Sequence, residues 1–166
     1  MTERTVELIQ QTLAQAHHLA HGLFPVRPHA DGLMGALSQL VSDFQDMYPA
    51  AIRFVCETPV QVHDDAVCTH LYRIAQEALS NALKHGQPSE VTIELSADTR
   101  ACRLCIRDNG RGLAGCPASS SGLGMETMRF RARAIDARLD IQPGEHGGLE
   151  VIVTVPHGKD STKDIR

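Results

Sequence analysis

Residues 90–96 (Glu-Val-Thr-Ile-Glu-Leu-Ser) and 101–107 (Ala-Cys-Arg-Leu-Cys-Ile-Arg) alternate apolar and polar side chains across a short connection. Period two puts every apolar side chain of such a segment on one face, and a hairpin-connected pair then presents an apolar sheet face that must be covered. The cover is available upstream. Leu33, Ala36, Leu37, Leu40, Val41 and Phe44 recur at helical spacing over 32–47, with Asp31 as N-cap. Val67, Leu71, Ile74, Ala78 and Ala82 do so over 65–85, opened by Asp64 or Asp65 and closed at Gly86. Residues 51–56 alternate as a further strand. A helix over 123–137 follows the Gly/Ser/Pro-rich stretch 109–121, and two strands, 138–142 and 149–155, flank the turn 144–148. Helices followed by hairpin-connected strands predict an α+β layer, not an alternating parallel fold.

The 166 residues suffice for one well-cored domain and an extra helix. A net charge of −4 gives no basic footprint for nucleic acid. The N-terminus carries Glu3, Glu7 and several glutamines instead of a basic end and an apolar block, and no apolar run reaches membrane-span length. The chain is therefore expected to be soluble and cytoplasmic, as a portion of a parent that can itself be membrane-bound. Cys102 and Cys105 form a C-x-x-C, a spacing used for zinc and redox sites. Within a strand, however, residues three apart point to opposite faces, and no second pair follows; reduced, partly buried thiols fit better.

The leading segment 3–24 reads as a helix whose Val6, Ile9, Leu13, Ala16, Ala20 and Leu23 form a heptad seam. The narrow stripe favours a helix–helix or dimer contact over packing on its own domain. His17 and His21 stand one helical turn apart, as surface residues or as half of a metal site. Pro25 and Pro28 end the helix, and residues 157–166 read as a polar tail.

Three segments carry candidate chemistry. On the helix over 65–85, Arg73, Glu77, Asn81, Lys84 and His85 form a polar stripe beside the apolar one. The mixture of carboxylate, amide and terminal cations suits a hydrated magnesium and phosphates, since magnesium takes few protein oxygens and keeps water and substrate phosphate. Next, Asp108 shares a strand face with Cys102, Leu104 and Ile106, which brings a carboxylate to the edge of an apolar wall. Such a group needs donors, and an adenine 6-amino group is one. Asp108-Asn109-Gly110 also reads as a hairpin turn, although the long segment after Gly112 does not return directly into a strand. Finally, Ser121-Gly122-Leu123-Gly124-Met125 leads into a helix whose free N-terminal amides suit phosphate.

In this order, the three segments resemble the N, G1 and G2 boxes of the GHKL ATPase superfamily, the Bergerat-type pocket shared by histidine kinases, type II topoisomerases, Hsp90 and MutL. Glu77-Ala-Leu-Ser-Asn81-Ala-Leu-Lys84-His85 is similar to the first box, Asp108-Asn-Gly-Arg-Gly112-Leu113 to the second, and Gly122-Leu123-Gly124-Met125 to the third. The wording AQEALSNALKHG and GLGMETMRFRARAI resembles the catalytic domain of bacterial sensor histidine kinases that pair with helix-turn-helix (NarL/LuxR-type) response regulators. The resemblance covers about residues 5–156.

It implies a two-layer α/β sandwich with a mixed, mostly antiparallel sheet and helices on one face. It divides the chain into a second dimerisation-type helix (1–27), an ATP-binding catalytic domain (28–157) and a tail (158–166). ATP and Mg2+ are the implied cofactors. Asn81 would hold the metal, with Glu77 beside it in a supporting or base role and Lys84 and His85 near phosphates. Asp108 would read adenine, with Gly110 and Gly112 allowing close approach. Residues 111–122, hinged by Gly122 and Gly124, would form the lid, and Leu113, Leu123 and Met125 would join the nucleotide-binding residues. The implied reaction moves the ATP γ-phosphoryl to a His of a dimerisation domain and then to an Asp of a response regulator. Those two proteins, and a second copy through the leading helix, are the expected partners. Two departures stand out. Leu149 follows Gly147-Gly148 where many relatives carry Thr, and neither His17-His18 nor His21 matches the phosphoacceptor motif, so the chain is expected to lack the acceptor. An ATP-binding regulatory module without kinase activity, and an anti-sigma-type serine kinase, share the pocket as alternatives; the leading seam disfavours the second.

Overall fold

The computed structural model describes residues 32–112, 123–145 and 147–157. The expected leading helix and its seam, His17 and His21, the Asp31 cap, the lid from Leu113 to Gly122, and the tail from 158 lie outside the described residues.

Five strands make one sheet in the order β1-β2-β3-β5-β4. They are β1 (Ala51–Val55), β2 (Glu90–Ala97), β3 (Ala101–Asp108), β4 (Arg138–Pro143) and β5 (Leu149–Pro156). β1 runs parallel to β2, and every other pairing is antiparallel. The β2–β3 connection closes with the Asp98 carboxylate accepting the Arg100 and Ala101 amides at 2.6 and 2.9 Å. Register aligns the apolar positions across the sheet: Ile93 faces Ile106, which faces Val151, and Leu95 faces Leu104, which faces Val153. All six are buried, which makes the continuous apolar face that alternation predicted.

Three helices, α1 (Gly32–Gln45), α2 (Asp65–Asn81) and α3 (Leu123–Arg133), supply the second layer. On α1, Leu33, Leu37, Leu40 and Phe44 are buried, while Ala36 and Val41 are only partly so. Asp64 is the α2 N-cap: its carboxylate accepts the Ala66 and Val67 amides at 2.8 and 3.1 Å. α2 is buried well beyond the expected stripe. Cys68, Tyr72, Ala75, Gln76, Leu79 and Ser80 are also inside, because α2 packs on β3 and is flanked by α1 and α3.

Two helix ends differ from expectation. The helix over 65–85 is not α-helical throughout: after Asn81 the backbone widens into a π turn, Ala82–Gly86, and stops at Gln87, whose φ is +49°. The helix expected over 123–137 ends earlier. Asp136 adopts φ +51°, and the Ala137 amide donates back to the Ala132 carbonyl at 2.9 Å, closing the last turn in a Schellman manner.

Cys102 lies in the core with Leu104 and Ile106, whereas Cys105 faces the other side of the sheet, 3.4 Å from the Glu150 carboxylate. Burial pushes both thiols up to about 11, so they stay protonated near neutrality. No helix among the described residues is long and apolar enough to cross a membrane.

Candidate functional site

A cleft opens where α2 and its π turn, the end of β3, the start of β5 and the first turns of α3 meet. Its wall is the outer layer of the core: Ala78 and Ala82 from the helical segment, Ile106 and Val151 from the sheet, and Met125 and Met128 from α3.

Asp108 is the last residue of β3 and is only 8 % exposed, on the same face as Ile106. Burial pushes its carboxyl above the usual carboxylate range. Two amides oppose that shift: Gly110 N–H donates to Oδ1 at 2.8 Å and Leu149 N–H to Oδ2 at 3.2 Å. The second donor exists because Gly148 has no side chain. It adopts φ +72°, and a Cβ there would overlap the Asp108 backbone oxygen.

Asp108-Asn109-Gly110 is not a hairpin turn. Asn109 Oδ1 accepts the amides of Ser89 and Glu90, each at 3.0 Å, and its Nδ2 donates to Ser89 Oγ at 2.9 Å. Arg111 N–H donates to Gly86 O at 2.9 Å, and Gly110 packs so tightly on Gly86 that a Cβ would overlap its carbonyl. The strand end is therefore clamped to the close of the π turn. Asn109 was not singled out from sequence; Asn after a strand-terminal Asp reads as turn chemistry, and its partners lie about twenty residues away.

Glu77 and Asn81 face each other one turn apart on α2, with Asn81 Nδ2 donating to Glu77 Oε1 at 3.2 Å. Gly124 lies directly against this pair: a Cβ there would overlap Glu77 Oε1 and stand 3.0 Å from Asn81 Nδ2. The first turn of α3 thus crosses over the Glu77–Asn81 pair. An amide oxygen and a carboxylate here can hold magnesium only together with water or substrate oxygens. Among the described residues no three His, Cys, Asp or Glu side chains converge as a metal cage.

The structure brings together in the cleft lining Asn81, His85, Asp108, Gly112, Gly124 and Met125 of the residues expected from sequence. Glu77 and Gly110 adjoin it through Gly124 and Asp108. Lys84 is exposed and outside the lining, because the π turn presents His85 to the cleft instead. Leu123 is 81 % exposed and also outside it. Leu113 and Gly122 lie outside the described residues. Met128, Ile106 and Val151 line the cleft although sequence reading gave them only to a helix or a strand; apolar periodicity does not separate a core side chain from a pocket wall.

The family model for the histidine kinase-, DNA gyrase B-, and HSP90-like ATPase domain matches residues 66–159. The nitrate/nitrite sensor protein NarX of Escherichia coli (strain K12) is 33% identical over 123 residues, which is 74% of this chain and 21% of that protein. The sensor histidine kinase LiaS of Bacillus subtilis (strain 168) is 28% identical over 163 residues, covering 93% of this chain and 44% of that one. The chain therefore spans less than half the length of these curated relatives. Among solved structures, the ATP-binding domain of PrrB from Mycobacterium tuberculosis superposes with a TM-score of 0.62 at 20% identity, over 76% of this chain and 95% of that one. The blue-light-activated histidine kinase EL346 of Erythrobacter litoralis gives 0.63 at 21% identity, over 75% and 42%. With a matching family model over more than half its length and the same fold in both neighbours, the chain belongs to the family of histidine kinase-, DNA gyrase B- and HSP90-like ATPases.

Proposed function

We propose that the chain is the ATP-binding catalytic domain of a two-component sensor histidine kinase, acting on a histidine carried by a dimerisation domain. The observation that carries this reading is the placement of Asp108 at one end of an apolar cleft and of the Glu77–Asn81 pair, beneath Gly124, along the same cleft. Phosphoryl transfer asks a protein mainly for positioning and charge neutralisation, and the groups here supply both. Asp108 is held by two amides in an orientation that accepts a hydrogen bond from the adenine 6-amino group. The apolar wall takes the base. Asn81 and Glu77 would hold magnesium at the phosphate end, where the ion would supply positive charge to offset that of the phosphate oxygens. Glu77, acting as base or support, would stand next to the reacting phosphoryl, with His85 near the phosphates from the cleft lining and Lys84 from outside it. Gly124 lets α3 close over them, with Gly122 and residues 111–122 as the lid. The group transferred would then pass from histidine to an aspartate of a response regulator. NarX and LiaS are both sensor proteins by name, which supports that role.

Two measurements test the reading. Calorimetric titration with a non-hydrolysable ATP analogue should show binding strengthened by magnesium. Incubation of the chain with ATP and an acceptor domain from a relative should yield acid-labile phosphate on that domain. Nucleotide binding without transfer to any acceptor would refute the kinase assignment in favour of a regulatory ATP-binding module. Acid-stable phosphate on serine would favour the anti-sigma type.

A further inference from the structure

Sulfur side chains from four separate elements gather at the end of the core away from the cleft, and none of them lines it. Met34 lies in the first turn of α1, Cys56 directly follows β1, Cys68 lies in the first turn of α2, and Cys102 stands at the start of β3, whose other end is Asp108. The Cys56 and Met34 sulfurs touch at 3.5 Å. Segment 56–62 wraps them. The Val60 N–H donates to Met34 Sδ at 3.4 Å, the Cys56 thiol stands 3.2 Å from the Thr58 carbonyl, and the Cys68 thiol stands 3.3 Å from the Val62 carbonyl. Cys102 is near enough to Cys68 and Cys56 that both add to the rise that burial gives its thiol. Cys56 is half-buried, whereas Cys68 and Cys102 are buried, so the Cys56–Met34 pair is the part of the cluster that a solute can reach. Val60 occupies one lone pair of the thioether, and the other is turned to Cys56.

We propose that Cys56 and Met34 form a binding site for a soft univalent cation, copper(I) in type, held between a thiolate and a thioether. The site is independent of the nucleotide reading. Thiolate and thioether sulfur select copper(I), while oxygen ligands select magnesium and calcium. A structural zinc site takes four ligands, and among the described residues no three His, Cys, Asp or Glu side chains converge to supply them. Charge points the same way. One thiolate neutralises a univalent ion, whereas a divalent ion would leave a positive charge unpaired against the core. On binding, the Cys56 S–H bond breaks and its proton leaves to solvent. The Cys56 sulfur and the free Met34 lone pair each donate an electron pair to the ion, and no electron is transferred. Because Met34 opens α1 and Cys56 follows β1, the ion clips the first turn of α1 to the end of the edge strand.

The test is an anaerobic competition for copper(I) between the intact, reduced chain and a chromogenic copper(I) chelator. The chain should withdraw the ion with a new near-ultraviolet thiolate-to-copper absorption and a raised melting temperature. Cys56→Ser should weaken uptake at least about hundredfold, and Met34→Leu, which keeps the side-chain volume, at least about fivefold. Cys105→Ser, on the opposite face of the sheet, and Cys116→Ser, outside the described residues, should retain it. No withdrawal by the wild-type chain overturns the proposal, as does uptake that survives Cys56→Ser or is lost in Cys116→Ser. Unchanged affinity in Met34→Leu overturns it too, because a lone thiolate then suffices. If Cys56→Ser fails to fold, Met34→Leu still decides. Displacement of copper(I) by an equal concentration of zinc(II) would overturn the soft univalent assignment. Affinity for an ATP analogue should stay within about twofold when copper(I) is bound; a larger loss would place the ion at the cleft instead of at Cys56 and Met34.

Discussion

Asp108→Asn changes one atom type at the most constrained point of the cleft. The carboxylate accepts the Gly110 amide on Oδ1 and the Leu149 amide on Oδ2. An asparagine keeps one acceptor oxygen and turns an NH2 toward the other amide, so donor faces donor whichever way the side chain is flipped. Because the residue is only 8 % exposed, water can relieve that conflict poorly. The bond to a base amino group also loses its charge assistance, worth about 1.5–3 kcal/mol. At about 1.4 kcal/mol per decade, ATP should bind roughly tenfold to a hundredfold more weakly. The unsatisfied amide should lower the melting temperature as well, by about 1–3 kcal/mol of stability. Preference for ATP over ITP should shrink, since the amide NH2 can donate to an oxygen at position 6. Calorimetry with an ATP analogue measures the first effect, a thermal melt without nucleotide the second, and competition by ITP the third. A folded variant that binds ATP within about twofold of wild type would refute the assignment of Asp108 to the base.

Asn81→Ala should make nucleotide affinity nearly independent of magnesium while leaving binding in EDTA close to wild type; paired titrations with and without magnesium check this. Asn109→Ala removes three hydrogen bonds that clamp the β3 end to the start of β2. They are exposed, so the expected loss is about 1–2 kcal/mol, read as a lower melting temperature with nucleotide affinity reduced through the displaced Asp108; an unchanged melt would show the clamp to be idle. Burial raises the Asp108 carboxyl in the folded chain. Acceptance from a base amino group needs the ionised form, so affinity should fall on acidification through that raised value, above the ordinary 3.8. The sign for stability is the reverse: the neutral form suits the buried site, so the Asp108 contribution to the nucleotide-free fold is full at low pH and is lost as pH rises through the folded value. Glu150 behaves oppositely. Hydrogen bonds from Gln142 and Arg107 lower its carboxyl, so its contribution is present above the unfolded value and lost as pH falls through the lowered folded one. Melts of Asp108→Asn and Glu150→Gln across pH separate the two: each variant should flatten only its own limb.

The fold was legible where one periodicity acted alone. Alternation at 90–107 gives both strand faces, and the same count places Asp108 beside Ile106 on the buried one. A short acceptor before an apolar helical stripe reads as a cap, which narrows it to Asp64 or Asp65, and Asp64 is the one that accepts the first amides. Legibility failed where a residue serves a distant element. The polar side chain of Asn109 is satisfied by Ser89 and Glu90, which no local spacing reveals. The burial of Gln76 and Ser80 follows from neighbours on several sides of α2, whereas a stripe reports only one. The π turn at Ala82–Gly86 leaves no mark in propensity, yet it decides which of Lys84 and His85 meets the cleft.

The wall of the cleft is the outer layer of the hydrophobic core, with Met128, Ile106 and Val151 belonging to both. A base seated there would behave as a side chain the sequence does not encode, completing the packing of α3 against the sheet. Folding and ligation are then one equilibrium, and the midpoint of thermal unfolding should climb with the logarithm of nucleotide concentration above the dissociation constant. It follows that substitutions loosening Met128 or Val151 can be partly masked at high nucleotide concentration and exposed when the nucleotide is depleted.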